Sequence, residues 1–347
     1  MKLLLRKSVS RKRHIRSDRK RVSVRVRRFG ALAPLLALLL VAPVSARTWH
    51  VPAEHATIGE GLAAATAGDT VLVACGDYAE TDLVMVDGVV LRSETGAVDC
   101  VTVDALWLGR GLMCDDLGPG TAIEGFTFTH GVAAAAGAVF CNHATVTFRD
   151  CAFVDNYAGL DGAGFYCNES APLLERCLFA DNVADAGSGG GFCSRRADPV
   201  LLSCVFRNNR AGGWGGGFYA SGSDNTPVLD KCVFAGNVSA NGGAVACKGT
   251  ETTLSDCELL DNMANEDGGG FYLDIGALAL LANVRFEGNS AANGKAGMVS
   301  GSSAAVLRCC DLDVTTVNGS GDITYETDGC DVPVAQSSWG AVKRIYR

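Results

Sequence analysis

Cys177-Leu-Phe-Ala-Asp-Asn-Val-Ala-Asp-Ala-Gly-Ser-Gly-Gly-Gly-Phe192 is one copy of a pattern that the chain repeats. Its Phe-x-x-Asn segment begins at Phe153, Phe179, Phe206, Phe234, Leu259 and Phe286, positions spaced 26, 27, 28, 25 and 27 residues apart. Its glycine cluster returns as Gly162-Ala-Gly-Phe165, Gly215-Gly-Gly-Phe218, Gly242-Gly-Ala-Val245 and Gly268-Gly-Gly-Phe271, then decays to Gly294-Lys-Ala-Gly-Met298. Two signatures that share one period mark a solenoid, in which each repeat stacks on the one before. Between them, runs such as Pro227-Val-Leu-Asp-Lys-Cys-Val-Phe234 alternate apolar and polar residues, as a half-buried strand does, and are too short for helices. Three short strands with their turns use about 25 residues and bring the chain back one strand spacing higher. The expected fold is all-β: a right-handed parallel β-helix of about nine rungs, with its repeats over residues 71–310.

The repeat assigns work to particular side chains. The Phe column fills the core, and the glycines allow tight turns against the neighbouring rung. The Asn column suits a left-handed turn and a stacked amide ladder. Cysteine recurs two residues before the Phe column, at Cys151, Cys177, Cys204, Cys232 and Cys257. It recurs again after the glycines, at Cys141, Cys167, Cys193 and Cys247. Equal phase places such residues one rung apart, so most of the 15 cysteines read as small buried residues in a ladder, not as a disulfide framework. Cys309, Cys310 and Cys330 form a separate group in which one closing disulfide is expected, and the odd total leaves a free thiol.

Both ends need covers, because an open solenoid end exposes strand edges and core. Residues 47–70 read as the N-terminal cap, a short amphipathic helix begun by the capping box of Thr57 and Glu60. Residues 311–347 read as a C-terminal cap or tail, with Ser338–Arg347 either covering the last rung or trailing as a basic tail. Before the cap, residues 1–46 hold a basic stretch through Arg28, an apolar run from Ala31 to Val41 and the small-residue site Val44-Ser45-Ala46. That order is the grammar of a secretory signal peptide, so export, cleavage after Ala46 and a mature chain without a transmembrane segment are expected. The first 46 residues hold 13 of the 30 Lys and Arg but one of the 38 acidic residues, which leaves the remaining body at a charge of about −20. Such a body repels nucleic acid and anionic lipid.

Several stretches resemble the pectin-lyase-like superfamily of right-handed β-helices: Thr57 to Tyr78 is similar to its N-terminal cap, and Ile123-Glu-Gly-Phe-Thr-Phe-Thr-His-Gly131 to its first regular rung. The paired glycine and Phe-x-x-Asn signatures resemble the repeats of polymorphic outer-membrane proteins, whose surface-exposed passengers serve in adhesion. The resemblance covers about residues 48–310 and implies an exported β-helix, extracellular, at the cell surface or associated with the outer membrane. The chain has no room after the repeats for the membrane β-barrel that ends those proteins. A noncatalytic adhesive, binding or structural role is expected, with an extracellular glycan or a surface protein as partner and a monomeric chain. The alternative is a polysaccharide lyase or hydrolase.

The residues themselves offer no catalytic set. Lyases of this architecture need clustered carboxylates for a cation and a basic side chain, and hydrolases need paired carboxyl groups about the scissile bond. The column before the Asn residues, Asp155, Asp181, Asn208 and Asp261, supplies the candidates for Ca2+, a cation that takes several oxygen ligands. Gly236 and Gly288 break that column, and a solvated acidic turn is the expected reading, so no cofactor is required. Asp161, Asp185 and Asp267 read likewise as turn residues. Arg195-Arg196 is the one basic pair on a rung-connecting loop that could grip an acidic sugar, and an ordinary surface pair is the expected reading. His50, His55, His130 and His143 show no metal-ligand spacing.

Overall fold

The computed structural model describes residues 45–328 and Cys330; the expected leader and the tail from Asp331 onward lie outside the described residues. The body is a parallel β-helix of four ladders, with 12, nine, six and ten strands. One rung shows the order of elements. Val146–Arg149 lies in the first sheet, Ala152–Val154 in the second, Tyr157–Ala158 in the short six-stranded ladder and Phe165–Asn168 in the third sheet. Every strand pair is parallel and in register with its counterpart one repeat away, as in Phe153 with Phe179 and Phe179 with Phe206. The ladder continues past Cys310: Asp322–Glu326 pairs with Ala304–Arg308.

The core is built from the stacked columns. Phe153, Phe179, Phe206 and Phe234 are fully buried, and their rings stack in sequence at centroid distances of 4.8, 4.5 and 4.6 Å. Offset stacking adds about 0.5–1.5 kcal/mol per pair beyond area burial. A second stack, Phe165, Phe192 and Phe218, meets the first edge-on, with Phe179 and Phe192 at 5.8 Å and 79°. The first Cys column is buried and unbridged as expected, each thiol lying against backbone carbonyls, as Cys177 Sγ does against Phe148 O at 3.7 Å. Burial pushes the Cys177 and Cys232 thiols well up, which keeps them protonated and unreactive.

Two sequence assignments change. The left-handed position is not the Asn but the residue before it: Asp155, Asp181, Asn208 and Asp261 have φ between 53° and 58°, and Gly236 and Gly288 take φ 66° in the same column. This explains why Asp, Asn and Gly alternate there, since they tolerate that conformation. The Asn side chains instead face inward as a continuous amide ladder. Asn156 Nδ2 donates to Asn182 Oδ1 at 3.0 Å, and Asn182, Asn209, Asn237 and Asn262 each donate to the next at 2.9 Å. The second Nδ2 hydrogen goes to a backbone carbonyl on the preceding rung, such as Phe153 O for Asn182 at 2.9 Å. The other change concerns Cys193. Phe192 aligns with Phe165, so Ser194 and not Cys193 stacks on Cys167, and Cys114 begins that column beside Cys141.

The glycine clusters divide their labour. Gly189 takes φ 67°, whereas a Cβ on Gly190 would lie 2.4 Å from Arg210 O on the next rung, so one glycine makes the turn and the other permits the stack. At the N-terminal end the helix Ile58–Ala64 starts at Thr57, whose Oγ1 accepts from Glu60 N at 3.1 Å, while Glu60 reaches back to Ala56 N at 2.9 Å. Asp69 ties this cap together: it accepts from Thr66 N, Arg47 N and Trp49 Nε1. Those donors, the Thr66 and Arg47 amides foremost, lower its carboxyl to about 2. Disulfides close both ends, Cys309–Cys330 as expected and Cys75–Cys100 in addition.

Candidate functional site

Strand alternation gives the third sheet an outer face with a distinct composition. The residue after each inward Phe or Val points outward, which generates the column Phe140, Tyr166, Cys193, Tyr219, Ala246 and Tyr272 in register. From Tyr166 onward large and small residues alternate, so the three tyrosines stand about 10 Å apart, two rung spacings. Cys193 and Ala246 form the floor between them and are fully buried although they face out. Trp214, from the turn before its glycine cluster, leans over this floor with its ring 5.9 Å from both Tyr219 and Tyr272. Lys248 Nζ lies 4.2 Å from the Trp214 ring centre, a cation–π distance.

The polar column beside the aromatics is Asn142, Asn168, Arg195, Ser221, Lys248 and Asp274. Arg195 is held in a 2.6 Å ion pair with Asp161, whose other oxygen accepts from Ser188 N at 2.8 Å. Its guanidinium is thereby fixed 5.9 Å from the Tyr219 ring. Burial pushes the Tyr166 phenol up to about 12, and that of Tyr219 is also raised chiefly by burial, so at neutral pH both are neutral hydroxyls. Tyr166, Trp214 and Tyr272 are partly exposed, whereas Tyr219 is buried with Cys193 and Ala246 in the floor; partly exposed rings flanked by fixed hydrogen-bonding groups can stack on the apolar face of a sugar and bind its hydroxyls.

The corner that follows carries a chain of exposed ion pairs. Arg196 bonds Glu169 at 2.9 Å, Glu169 meets His143 Nε2 at 3.1 Å, and His143 Nδ1 lies 3.6 Å from Asp116. His143 and Arg196 together lower the Glu169 carboxyl. Arg195 and Arg196, adjacent in sequence, therefore serve different surfaces. Asp115, Asp116 and His143 bring donor atoms within 4.8 Å of one another. Sequence reading missed this grouping because its members are about one repeat apart, which is a stacking distance and not a motif spacing. Among the Ca2+ candidates, Asp155 and Asp181 stand on neighbouring rungs and Asp261 three rungs beyond, on the corner between the second sheet and the short ladder. Asp181 already accepts from Asn208 Nδ2 at 3.1 Å. Asp185 and Asp267 lie in the next turns.

Among the described residues, the carboxyls that are clearly shifted, Glu54, Asp69, Glu169 and Asp313, are all lowered. The aromatic face itself was legible only as a phase, the position after Gly-x-Gly-Phe, once the rungs were stacked.

Residues 137–312, just over half of the chain, match the model of the right-handed β-helix region. The chain belongs to that family. This β-helix is also similar to a solved pectate lyase, Pel9A, with a TM-score of 0.52 at 12% identity over 83% of this chain and 82% of that one. At that identity the likeness establishes the architecture of the β-helix. No curated protein matches the sequence. Among the described residues, no helix of the β-helix is long and apolar enough to cross a membrane.

Proposed function

We propose that this is an exported, noncatalytic β-helix that binds an extracellular glycan along the outer face of its third sheet. The observation that carries the reading is the set of partly exposed rings Tyr166, Trp214 and Tyr272 packed around a floor closed by the buried Cys193, Tyr219 and Ala246. A glycan chain laid along this face meets Tyr166 at one end and Trp214 with Tyr272 at the other, while Asn168, Ser221 and the Arg195–Asp161 pair offer donors and acceptors beside it. Two further points support binding without turnover: Asp161 is engaged by Arg195 and by Ser188 N, and the rungs carry short turns that leave few long loops to build a cleft. Affinity electrophoresis of the full chain in gels of neutral and acidic polysaccharides tests the proposal. Retardation by at least one glycan is expected, weakened about tenfold or more by Trp214→Ala or Tyr272→Ala, equivalent to about 1.4 kcal/mol. Free migration in every gel, or unchanged retardation of both variants, would refute it.

The second reading, a polysaccharide lyase or hydrolase, is favoured by one feature: a carboxylate and an arginine paired on that same face. Release of reducing ends or unsaturated sugars, with or without Ca2+, that disappears in Asp161→Asn would establish it in place of the first.

A further inference from the structure

The Asn ladder is closed at its first rung and open at its last. Gly131 N donates to Asn156 Oδ1 at 2.8 Å, so the ladder starts on a backbone group. Each amide oxygen from Asn182 to Asn289 then accepts two bonds from the rung before, one from the backbone N–H and one from the Nδ2 of the preceding Asn. Asn182, Asn209, Asn237 and Asn262 also donate to a Phe carbonyl of the preceding rung. Asn289 is the last member: its Oδ1 takes both bonds from Asn262, and its Nδ2 donates to Leu259 O at 2.7 Å. Three groups of the kinds that the earlier rungs satisfy, the Asn289 N–H, its second Nδ2 hydrogen and the Phe286 carbonyl, have no partner among the described residues. The chain itself turns aside there. Counting from the Arg285–Asp311 bridge, the residue at the phase of Asn289 is Thr315, whose N–H and hydroxyl bond to Asp313 Oδ1 at 3.0 and 2.7 Å in the 3-10 turn Val314–Thr316.

A cleft of about 160 Å³ lies at this end of the ladder, with Phe286, Gly288, Asn289, Ala296, Leu312 and Thr316 in its lining. A single water needs only about 10–15 Å³, and a pocket for a whole small ligand begins at about 300 Å³, so the cleft admits one functional group of a larger molecule. We propose that it binds a primary carboxamide, the group carried by asparagine and glutamine side chains. Such an amide offers one oxygen to the two Asn289 donors and an N–H to Phe286 O, the same set of bonds that each amide of the ladder makes with the rung before. A carboxylate would satisfy the donors but set its second oxygen against Phe286 O, an acceptor facing an acceptor. A secondary amide replaces one of the two nitrogen hydrogens by carbon in a stack built for NH2. Charge does not favour an anion either: Lys295 lines the cleft, but so do Glu287 and Asp313, and Glu287 is paired with Arg285. None of the lining residues belongs to the aromatic face, so the inference stands apart from the glycan reading.

Saturation-transfer NMR of the full chain tests the inference. The probes are propionamide, propionate, N-methylacetamide, an acetylated peptide copied from Val233–Val238 and the same peptide with Asp in place of its Asn. Transfer to propionamide, to the Asn peptide or to both is expected, several-fold stronger than to propionate and the Asp peptide. Asn289→Asp keeps an acceptor for Asn262 while removing the amide hydrogens, and Thr316→Trp fills the cleft. Each should reduce the transfer several-fold with unchanged β-sheet circular dichroism, whereas Trp214→Ala should leave it unchanged. Transfer to the peptide alone would identify a polypeptide strand as the source of the amide, and transfer to propionamide as well would admit any solute that carries one; both uphold the inference. Transfer as strong to propionate, transfer as strong to N-methylacetamide, which mimics the acetamido group of sugars, silence from every probe, or a response that survives both cleft variants would overturn it.

Discussion

A single buried amide shows how the repeat is enforced. Asn182 Oδ1 accepts from both the backbone N–H and the Nδ2 of Asn156, while its own Nδ2 serves Phe153 O and Asn209 Oδ1. Asn182→Ala strands donors and acceptors in a fully buried site, and a buried group left unpaired costs about 1–3 kcal/mol. A loss of about 2–4 kcal/mol in urea unfolding is expected, whereas Asn289→Ala, at the half-exposed end of the ladder, should cost clearly less. Phe206→Ala removes a ring stacked on both sides and should cost about 3–5 kcal/mol; an unchanged melting temperature would contradict the stack. The buried thiols permit a chemical check, because burial raises the thiols of Cys141 and Cys247 to about 12 and 11. In the native chain, Ellman's reagent should leave these two unlabelled until denaturant is added. Asp155, Asp181 and Asp261 are read as turn residues, so EDTA should leave the melting temperature unchanged.

Among the elements, the N-terminal cap gives the clearest acid response. The Asp69 carboxyl is lowered from 3.8 to about 2 by the donors of Thr66, Arg47 and Trp49. A carboxyl depressed in the folded state stabilises above its unfolded value and loses that contribution as pH falls through the folded value. The cap should therefore weaken between about pH 4 and pH 2, and Asp69→Asn should remove that part of the acid sensitivity in a thermal melt. How far each element was legible follows from what a repeat can encode. The strands, the Thr57 capping box, the buried Cys column and the closing Cys309–Cys330 bond are local or strictly periodic, so phase alone exposed them. Which residue of the Asp-Asn pair turns left-handed depends on which one points inward, and periodicity does not distinguish neighbours. Cys193 slipped out of its column because Phe192-Cys-Ser replaces Phe165-Tyr-Cys, a one-residue shift that reverses the side-chain face. The aromatic surface and the His143 grouping arise only when rungs 25 to 28 residues apart are stacked.

At the scale of the molecule, every rung touches its neighbours and little else, so stability is close to a sum over adjacent interfaces. The rungs at the two ends have one neighbour, and both are tied by a disulfide, Cys75 to Cys100 and Cys309 to Cys330. Hydrogen exchange should therefore show first-rung amides of Gly76–Ala79 nearly as protected as those of central strands. In Cys75→Ser/Cys100→Ser they should exchange faster while the central strands are unchanged. Mechanical load adds a different consequence. If the proposed binding role puts the chain under load, a solenoid pulled at its end peels one rung at a time at low force. The 25-residue loop closed by Cys75–Cys100 and the 21-residue loop closed by Cys309–Cys330 carry tension past the terminal rungs through covalent bonds. Traction then reaches the body at interior rungs, where the Asn and Phe ladders are continuous, and the protein would behave as a rod that resists fraying from either grip.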